Sequence, residues 1–234
     1  ARIAISLAGP VANFIFAIVL YAGLFMAGSL QPIPLFTEPS VESPLARSSQ
    51  IQGPFELTQI DDRDVRSFQD VAMGLSARMG ESGNISLSYI ELLSGDLRQA
   101  DIAIEQWHKG ESEPDLFGSL GLTPTRLSIA GRVLEGSAAE RAGIEAGDWF
   151  IAVDGQSVGN WSEWVAEFRN RPGESVVFTL IRDGRQYNIT AVPDSVVSED
   201  GEEVGQLGVG PARVEVSYPI VQAVSLGASK TLDM

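Results

Sequence analysis

Few residues in this sequence could perform catalysis or bind a metal. It contains one histidine, His108, and no cysteine. A multi-histidine or thiolate zinc site therefore cannot form, because such a site needs several nitrogen or sulfur ligands. A serine–histidine–acid triad could be built only around His108. That residue lies beside Trp107 in a polar stretch, which favours a surface position. The sequence predicts neither catalysis nor a bound metal.

Two short motifs have the pattern of a site for a peptide end. Leu120-Gly121-Leu122 is followed by Pro124, and Leu207-Gly208-Val209 is followed by Pro211. A glycine between apolar residues at the start of a strand can turn several amides toward one carboxylate, and a peptide can then add to the strand edge. All six motif residues are therefore candidate peptide-binding residues. The alternative is an ordinary closing strand with a glycine at a bulge.

The elements around these motifs occur twice. Residues 44–82 align without gaps with residues 137–175, at a constant offset of 93 (44 to 137, 82 to 175). Such self-similarity indicates two copies of one domain. One motif follows each copy, and none precedes the first. We therefore expect each motif to belong to the domain that precedes it in sequence, so that Leu122 lines the peptide-binding groove of the first domain and Val209 that of the second.

The second copy carries the clearer local signals. Residues 137–140 form a capping box at a helix start, and Gly143 is placed to end that helix. Residues 149–153 then read as a strand with Trp149, Ile151 and Val153 on its inner face.

The signals continue through the rest of that copy. Asp154-Gly155 is typical of a tight turn. A second helix is expected over 162–170, and a hairpin of strands 176–181 and 185–192 follows. The groove-facing helices are then 67–78 and 162–170, and their aromatic side chains are expected to lie mainly in the core.

The run Ala142-Gly143-Ile144 to Gly147-Asp148, followed by Val153-Asp154-Gly155, resembles the signature of bacterial PDZ domains. The first copy is degenerate, since residues 52–55 replace its first turn, and it is assigned from the repeat. The expected fold class is α+β: two tandem, circularly permuted PDZ domains, each a small twisted β-sandwich or barrel with two helices.

The N-terminal segment predicts a membrane span. Residues 3–26 are almost wholly apolar, and no charge occurs between Arg2 and Glu38. About 20 apolar residues suffice to cross the hydrocarbon core. The alternative is a buried helix of a soluble protein. Arg2 on the near side favours placing the rest of the chain outside the cytoplasm. Asn13 within the apolar run needs a polar partner or a position at the interface.

The C-terminal segment predicts an amphipathic helix. Val221, Val224, Ala228 and Leu232 recur at helical spacing, which fits a juxtamembrane helix or one that caps a domain. The expected organisation is a transmembrane helix (1–30), a first PDZ domain (31–123), a second PDZ domain (124–212) and the amphipathic helix (213–234). Both ends fall inside predicted elements, so we expect a piece of a longer protein.

The charge balance excludes one class of partner. There are 16 basic and 31 acidic residues, a formal net charge of -15. Such a surface repels phosphate backbones, so nucleic-acid binding is not expected.

Residues 8–17 resemble the second transmembrane helix of the site-2 proteases, through Gly9, Pro10 and Asn13. The resemblance implies a multi-pass parent in the bacterial inner membrane, with periplasmic PDZ domains. That parent would be a zinc metalloprotease that cleaves single-span membrane proteins, such as anti-sigma factors in envelope stress signalling. Its zinc motifs, His-Glu-x-x-His and Leu-Asp-Gly, do not occur in this sequence, so these residues alone should be inactive and bind no zinc. Gly9, Pro10 and Asn13 would pack beside the zinc-bearing helix.

Two functions remain open at this point. The PDZ pair would gate substrates of the protease, either as a size filter or as a receptor for peptide C-termini. The alternative is a non-enzymatic, membrane-anchored PDZ scaffold of a secretion or envelope complex. A His-Glu-x-x-His helix upstream would decide for the protease.

Overall fold

The computed structural model describes residues 2–232 and, within them, all side chains except those of residues 2–12, 222, 229 and 232. The chain divides into two compact units, one of residues 32–213 and one that joins residues up to 31 with those from 214 onward. The helices are α1 (Arg2–Ala27), α2 (Pro44–Ser48), α3 (Phe68–Ser76), α4 (Ala138–Arg141), α5 (Trp161–Arg169) and α6 (Ile220–Leu232).

The strands follow in chain order. They are β1 (Ser29–Pro32), β2 (Leu35–Phe36), β3 (Phe55–Ile60), β4 (Arg63–Asp64), β5 (Gly83–Glu91), β6 (Leu97–Ile104), β7 (Ala130–Val133), β8 (Trp149–Val153), β9 (Gln156–Ser157), β10 (Val176–Arg182), β11 (Arg185–Ala191), β12 (Asp194–Val197), β13 (Glu203–Gln206), β14 (Val209–Pro211) and β15 (Arg213–Val216).

The larger unit contains two separate hydrophobic cores, one for each copy of the repeat. The first core lies under the sheet β2-β3-β5-β6, in which β4 pairs with β3. The second lies under the sheet β11-β10-β8-β9, with the hairpin β12-β13 and the pair β14-β7 beside it. In the second core Trp164 stacks on Phe150 at 4.2 Å between ring centroids. The two cores lie at matching places of the repeat, as two similar domains would require, and the assignment of two domains stays a prediction.

Both domains contain the same ion-pair cluster, in which one arginine contacts two acidic side chains. Arg78 contacts Asp61 and Glu81 in the first domain. Arg171 contacts Asp154 and Glu174 at the equivalent positions of the second. The amide of Val177, and then Arg171, hold the pKa of the Asp154 carboxyl below its ordinary value. Each ion-pair cluster connects the turn after one strand to the end of the following helix.

The inner face predicted for β8 is wrong in part. Phe150 and Val153 are the buried side chains, whereas Trp149 and Ile151 are only half-buried. The cause is a register shift opposite Thr179 and Leu180, which interrupts the alternation of side chains along the strand. A regular period of two places Phe150 outside, and the bulge returns it to the core.

The tight turn after β8 is confirmed. Asp154 and Gly155 have φ angles of 47° and 82°, both in the left-handed region. Gly155→Val should therefore destabilise the second domain by about 1 kcal/mol or more, because a β-branched residue is strained there. We expect the melting temperature to fall by roughly 4–8 °C. Ser157→Val, at an exposed strand position, should leave it unchanged. Equal melting temperatures for the two variants would contradict the strain at Gly155.

The two domains approach each other closely at one glycine. A Cβ added to Gly184, in the turn between β10 and β11, would lie 2.9 Å from the carbonyl oxygen of Leu93 in the first domain. Gly184 also has a φ of 71°. Any other residue would force the two turns apart.

In the smaller unit, α6 packs against α1 and β15 pairs with β1. A Cβ on Gly227 would lie 2.8 Å from the carbonyl oxygen of Ile18, so the helices touch through small residues. The apolar residues that predicted α6 are not the ones that form this contact with α1. Ala223, Gly227 and Thr231 are buried, whereas Val221 is 78% exposed and Val224 is also exposed. Ala228 is half-buried, and the side chain of Leu232 lies outside the described residues.

None of the helices, within the described residues, reaches the length and mean hydropathy of a bilayer-spanning segment.

Candidate peptide-binding groove

A groove in the second domain runs between β14 and α5. It encloses a cavity of about 400 Å³. One wall comes from the loop before β14 and from β14 itself, and the other from the apolar face of α5. Its lining includes Leu207, Gly208, Val209, Trp161, Trp164, Val165 and Phe168. The second of the two predicted motifs therefore lies in a groove of the domain that precedes it in sequence.

The loop at the head of this groove has unused amides. Gly208 has a φ of 76°, the left-handed conformation that turns successive amides toward one side. Its carbonyl oxygen accepts from the amide of Leu134 at 2.8 Å, and that of Leu207 accepts from Ala139 at 2.8 Å. The N–H groups of Leu207 and Gly208 themselves have no partner among the described residues. This arrangement can hold a carboxylate.

The strand that follows offers a free edge. β14 pairs with β7, and no other strand in the described part of the chain pairs with it. The bond from Leu134 to Gly208 makes Val209 and Val133 a non-hydrogen-bonded pair. In such a pair the amide and carbonyl point away from the partner strand, so those of Val209 face the groove. A peptide can add there as another strand.

The helix wall is fixed by its cap and by the core. Asn160 caps α5 by accepting from the amide of Glu163. Trp164 and Phe168 are buried in the second core, as expected, while Trp161 and Val165 are half-buried along the groove. Leu207 is buried and Val209 is half-buried against the same core. The groove therefore has an apolar floor suited to a hydrophobic side chain.

The corresponding loop of the first domain is arranged differently. Its strand, residues 123–125, pairs with β2 through Thr123 and Thr125. Leu120 and Leu122 are each 1% exposed and belong to the first core, and Gly121 has a φ of 92°.

The amides of this first loop are already bonded. Those of Leu120 and Leu122 donate to Phe117, and that of Gly121 donates to Gly118. The outward residue of the strand is Pro124, which has no N–H. A cavity of about 670 Å³ lies beside it, lined by Phe68, Gln69, Phe117, Pro124, Thr125 and Arg126. Peptide binding by Leu120, Gly121 and Leu122 stays a prediction.

The surface position predicted for His108 is wrong. Its side chain is only 10% exposed. The ring lies 2.6 Å from the carboxylate of Glu111 through Nδ1 and 2.9 Å from the hydroxyl of Ser119 through Nε2. These contacts join the segment after β6 to the turn before the first loop. A serine beside a histidine and an acid has the order of a triad, but the neighbouring loop amides are all bonded and offer no oxyanion site.

The remaining predicted site residues lie in α1. Gly9 and Pro10 are within the helix, and their surroundings lie outside the described residues. Asn13 is exposed.

The metal prediction can be tested only on the residues that the structure places. Within them no group of three or more histidine, aspartate or glutamate side chains could hold an ion. The described residues therefore do not fit a zinc site of their own.

The chain is similar to a family of peptide-binding domains and to several known proteases. A PDZ domain model matches residues 129–182. The chain is 31% identical over 227 residues to the regulator of sigma-E protease RseP of Escherichia coli, covering 94% of this chain and 50% of that protein. The chain is a homologue of the RseP proteases. The protease RseP of Yersinia pestis is 30% identical over 213 residues, covering 90% of this chain and 47% of that protein.

The similarity to these relatives extends over most of the chain. A putative zinc metalloprotease of Vibrio cholerae matches 98% of the chain at 29% identity, and the match covers 53% of that protein. The chain thus spans about half the length of the curated relatives it matches. The chain contains a PDZ domain, and the Vibrio cholerae relative is a putative zinc metalloprotease by name.

Proposed function

We propose that this chain is the substrate-gating PDZ region of an intramembrane zinc metalloprotease that cleaves single-span membrane proteins, of the anti-sigma factor type, during envelope stress signalling. The PDZ domains lie in the periplasm and the second one binds peptide C-termini. Zinc belongs to the remainder of the parent enzyme, in the bacterial inner membrane. A newly cut substrate presents a free C-terminus, which the second domain holds above the membrane.

One observation carries the proposal. The second groove combines unbonded amides at Leu207 and Gly208 with a free strand edge at Val209 and an apolar floor. These are the three features that a C-terminal peptide needs: a place for the carboxylate, a strand partner and a pocket for the last side chain. The homology to RseP proteases supplies the class of parent.

The membrane part of the proposal rests on exposed apolar surface. In α1, the side chains of Ile15, Phe16, Val19, Leu20 and Leu24 are each more than half exposed. In α6, Ile220 and Val221 are exposed as well. A contiguous apolar face of this kind fits lipid or further helices of the same protein better than water. We propose that α1 is inserted in the bilayer and that Gly9, Pro10 and Asn13 face the zinc-bearing helix of the parent.

A pair of peptides that differ only at the last group tests the receptor. The full chain would be titrated with a fluorescent peptide that ends in a hydrophobic residue, first as the free acid and then as the C-terminal amide. We expect the free acid to bind at least about ten-fold more tightly, because only it can use charge-assisted bonds to the loop amides.

Equal affinities for the acid and the amide would contradict a C-terminal receptor and leave the size filter. The alternative parent, a membrane-anchored PDZ scaffold, would bind the same peptides. It is separated from the protease by the upstream sequence, where a His-Glu-x-x-His helix is expected for the protease and its absence for the scaffold.

A further inference from the structure

Four arginines border the groove of the second domain and the cavity next to it. Arg132 and Arg169 line the groove itself. Arg126 and Arg213 line a neighbouring cavity of about 320 Å³. The two cavities adjoin, because Trp161 and Pro211 line both of them. The lining residues of both cavities fall within the described range, and none of them is an aspartate or a glutamate.

These four side chains have no anionic partner within the described chain. All are exposed, and none forms an ion pair or a side-chain hydrogen bond. The chain carries 31 acidic residues against 16 basic ones, so carboxylates are plentiful elsewhere. Five other arginines do pair with them, namely Arg78, Arg98, Arg141, Arg171 and Arg182. The groove is thus a positive region on a strongly negative protein.

The direction of a bound peptide decides which of its residues meet this region. The amides of Leu207 and Gly208 lie at the start of β14, so they fix the C-terminal carboxylate there. The peptide then runs antiparallel to β14, and its upstream residues pass toward Pro211. A strand advances about 3.3 Å per residue. Roughly three or four residues before its end, the peptide therefore enters the second cavity, between Arg126 and Arg213.

We propose that the second domain selects peptides whose hydrophobic C-terminus is preceded by acidic residues. The last residue occupies the apolar floor, and the carboxylates upstream pair with Arg126 and Arg213, while Arg132 and Arg169 attract the peptide along the groove. This inference rests on the proposed function, since it specifies the ligand of the same groove. Charge complementarity of this kind raises the association rate and the specificity of an interface, and salt weakens it.

Two peptides of matched length test the selection. Both end in the same three hydrophobic residues as a free acid, and the four preceding positions are glutamate in one and glutamine in the other. Each would be titrated into the full chain at low and at high ionic strength. We expect the glutamate peptide to bind about ten-fold more tightly at low ionic strength and the difference to shrink at high ionic strength.

Variants locate the effect. The double variant Arg126→Gln, Arg213→Gln should bring the glutamate peptide to the affinity of the glutamine peptide, whose own affinity should not change. The matched control Arg63→Gln, Arg185→Gln removes the same charge at two exposed sites outside both cavities and should preserve the preference.

The possible failures are distinguishable. Equal binding of the two peptides to the unmodified chain would overturn the acidic selection and leave the C-terminal receptor standing. Binding of neither peptide would overturn the receptor and the selection with it. If the double variant loses binding to anionic lipid vesicles while the glutamate preference is unchanged, the arginines serve a membrane surface and the selection is overturned.

Discussion

Replacing Val209 with glutamate should weaken peptide binding by the second domain about 100-fold or more. The side chain is half-buried at the head of the groove, beside the amides of Leu207 and Gly208. A carboxylate there would occupy the apolar floor and repel the C-terminus of the peptide. In the free domain the half-exposed carboxylate stays in contact with water, whereas a bound peptide would bury it unpaired at a cost of several kcal/mol, so a loss of this size is expected. Fluorescence anisotropy with the free-acid peptide measures it.

The matched control places the same charge away from the groove. Val197 is 75% exposed in the hairpin β12-β13 and is absent from the lining of the groove. Val197→Glu should bind the peptide normally, and both variants should keep the melting temperature of the unmodified chain within a few degrees. If Val209→Glu binds as well as Val197→Glu, the peptide site lies elsewhere.

Removing the carboxylate of Asp148 should destabilise the second domain by about 3 kcal/mol. Asp148 is fully buried. It accepts from Nε and Nη2 of Arg182 at 2.6 and 2.7 Å and from the amide of Glu145 at 2.9 Å. The bond to Asp148 is the main reason that the pKa of Arg182 is raised above its ordinary value. Asp148→Ala would leave a guanidinium, which is mostly covered, without this anion and one amide without an acceptor.

Urea unfolding followed by tryptophan fluorescence measures this loss, since three of the four tryptophans belong to the second domain. Arg141→Ala is the comparison, because it removes an ion pair with Asp194 in which both side chains are about half exposed. Exposed pairs of this kind contribute about 0–1 kcal/mol. Similar unfolding midpoints for the two variants would show that Asp148 does not hold the domain together.

Local signals in the sequence predicted the elements well. The strand over 149–153 has the predicted bounds, and the helix predicted over 162–170 begins one residue earlier, at Trp161. Asp154 and Gly155 form the predicted turn. Each of these depends on residues within one turn or one strand, such as a cap, a breaker or a run of apolar side chains, and so can be recognised from short windows.

The errors arose where distant residues decide. The bulge that buries Phe150 depends on the register with β10, which no local pattern in β8 encodes. The contact face of α6, which the sequence left open, depends on how closely α1 approaches, since a Cβ at Gly227 would lie 2.8 Å from the carbonyl oxygen of Ile18. His108 is largely buried partly because its ring contacts Ser119, which lies eleven residues further along the chain. Tertiary contacts of this kind override periodicity.

Part of the candidate site was also within reach of the sequence. The motif at 207–209 was found from its pattern, but the bonding state of its amides was not, because it depends on the turn that precedes each loop. The arginines around the groove come from three separate elements and one loop, and they share no spacing. The two ion-pair clusters could have been recognised from the sequence, since Arg78 and Arg171 are separated by the offset of 93 that relates the two copies.

These ion-pair clusters also indicate which features the two copies have kept and which have diverged. A duplicated gene begins with two identical copies, and each copy then changes on its own. Here both copies retain the ion-pair cluster of one arginine with two acidic side chains. The loops that follow the two copies have diverged: the amides of the first loop donate hydrogen bonds within the domain, while those of Leu207 and Gly208 in the second have no acceptor among the described residues. Because each copy also has its own hydrophobic core, a change in the loop of one copy need not disturb the fold of the other.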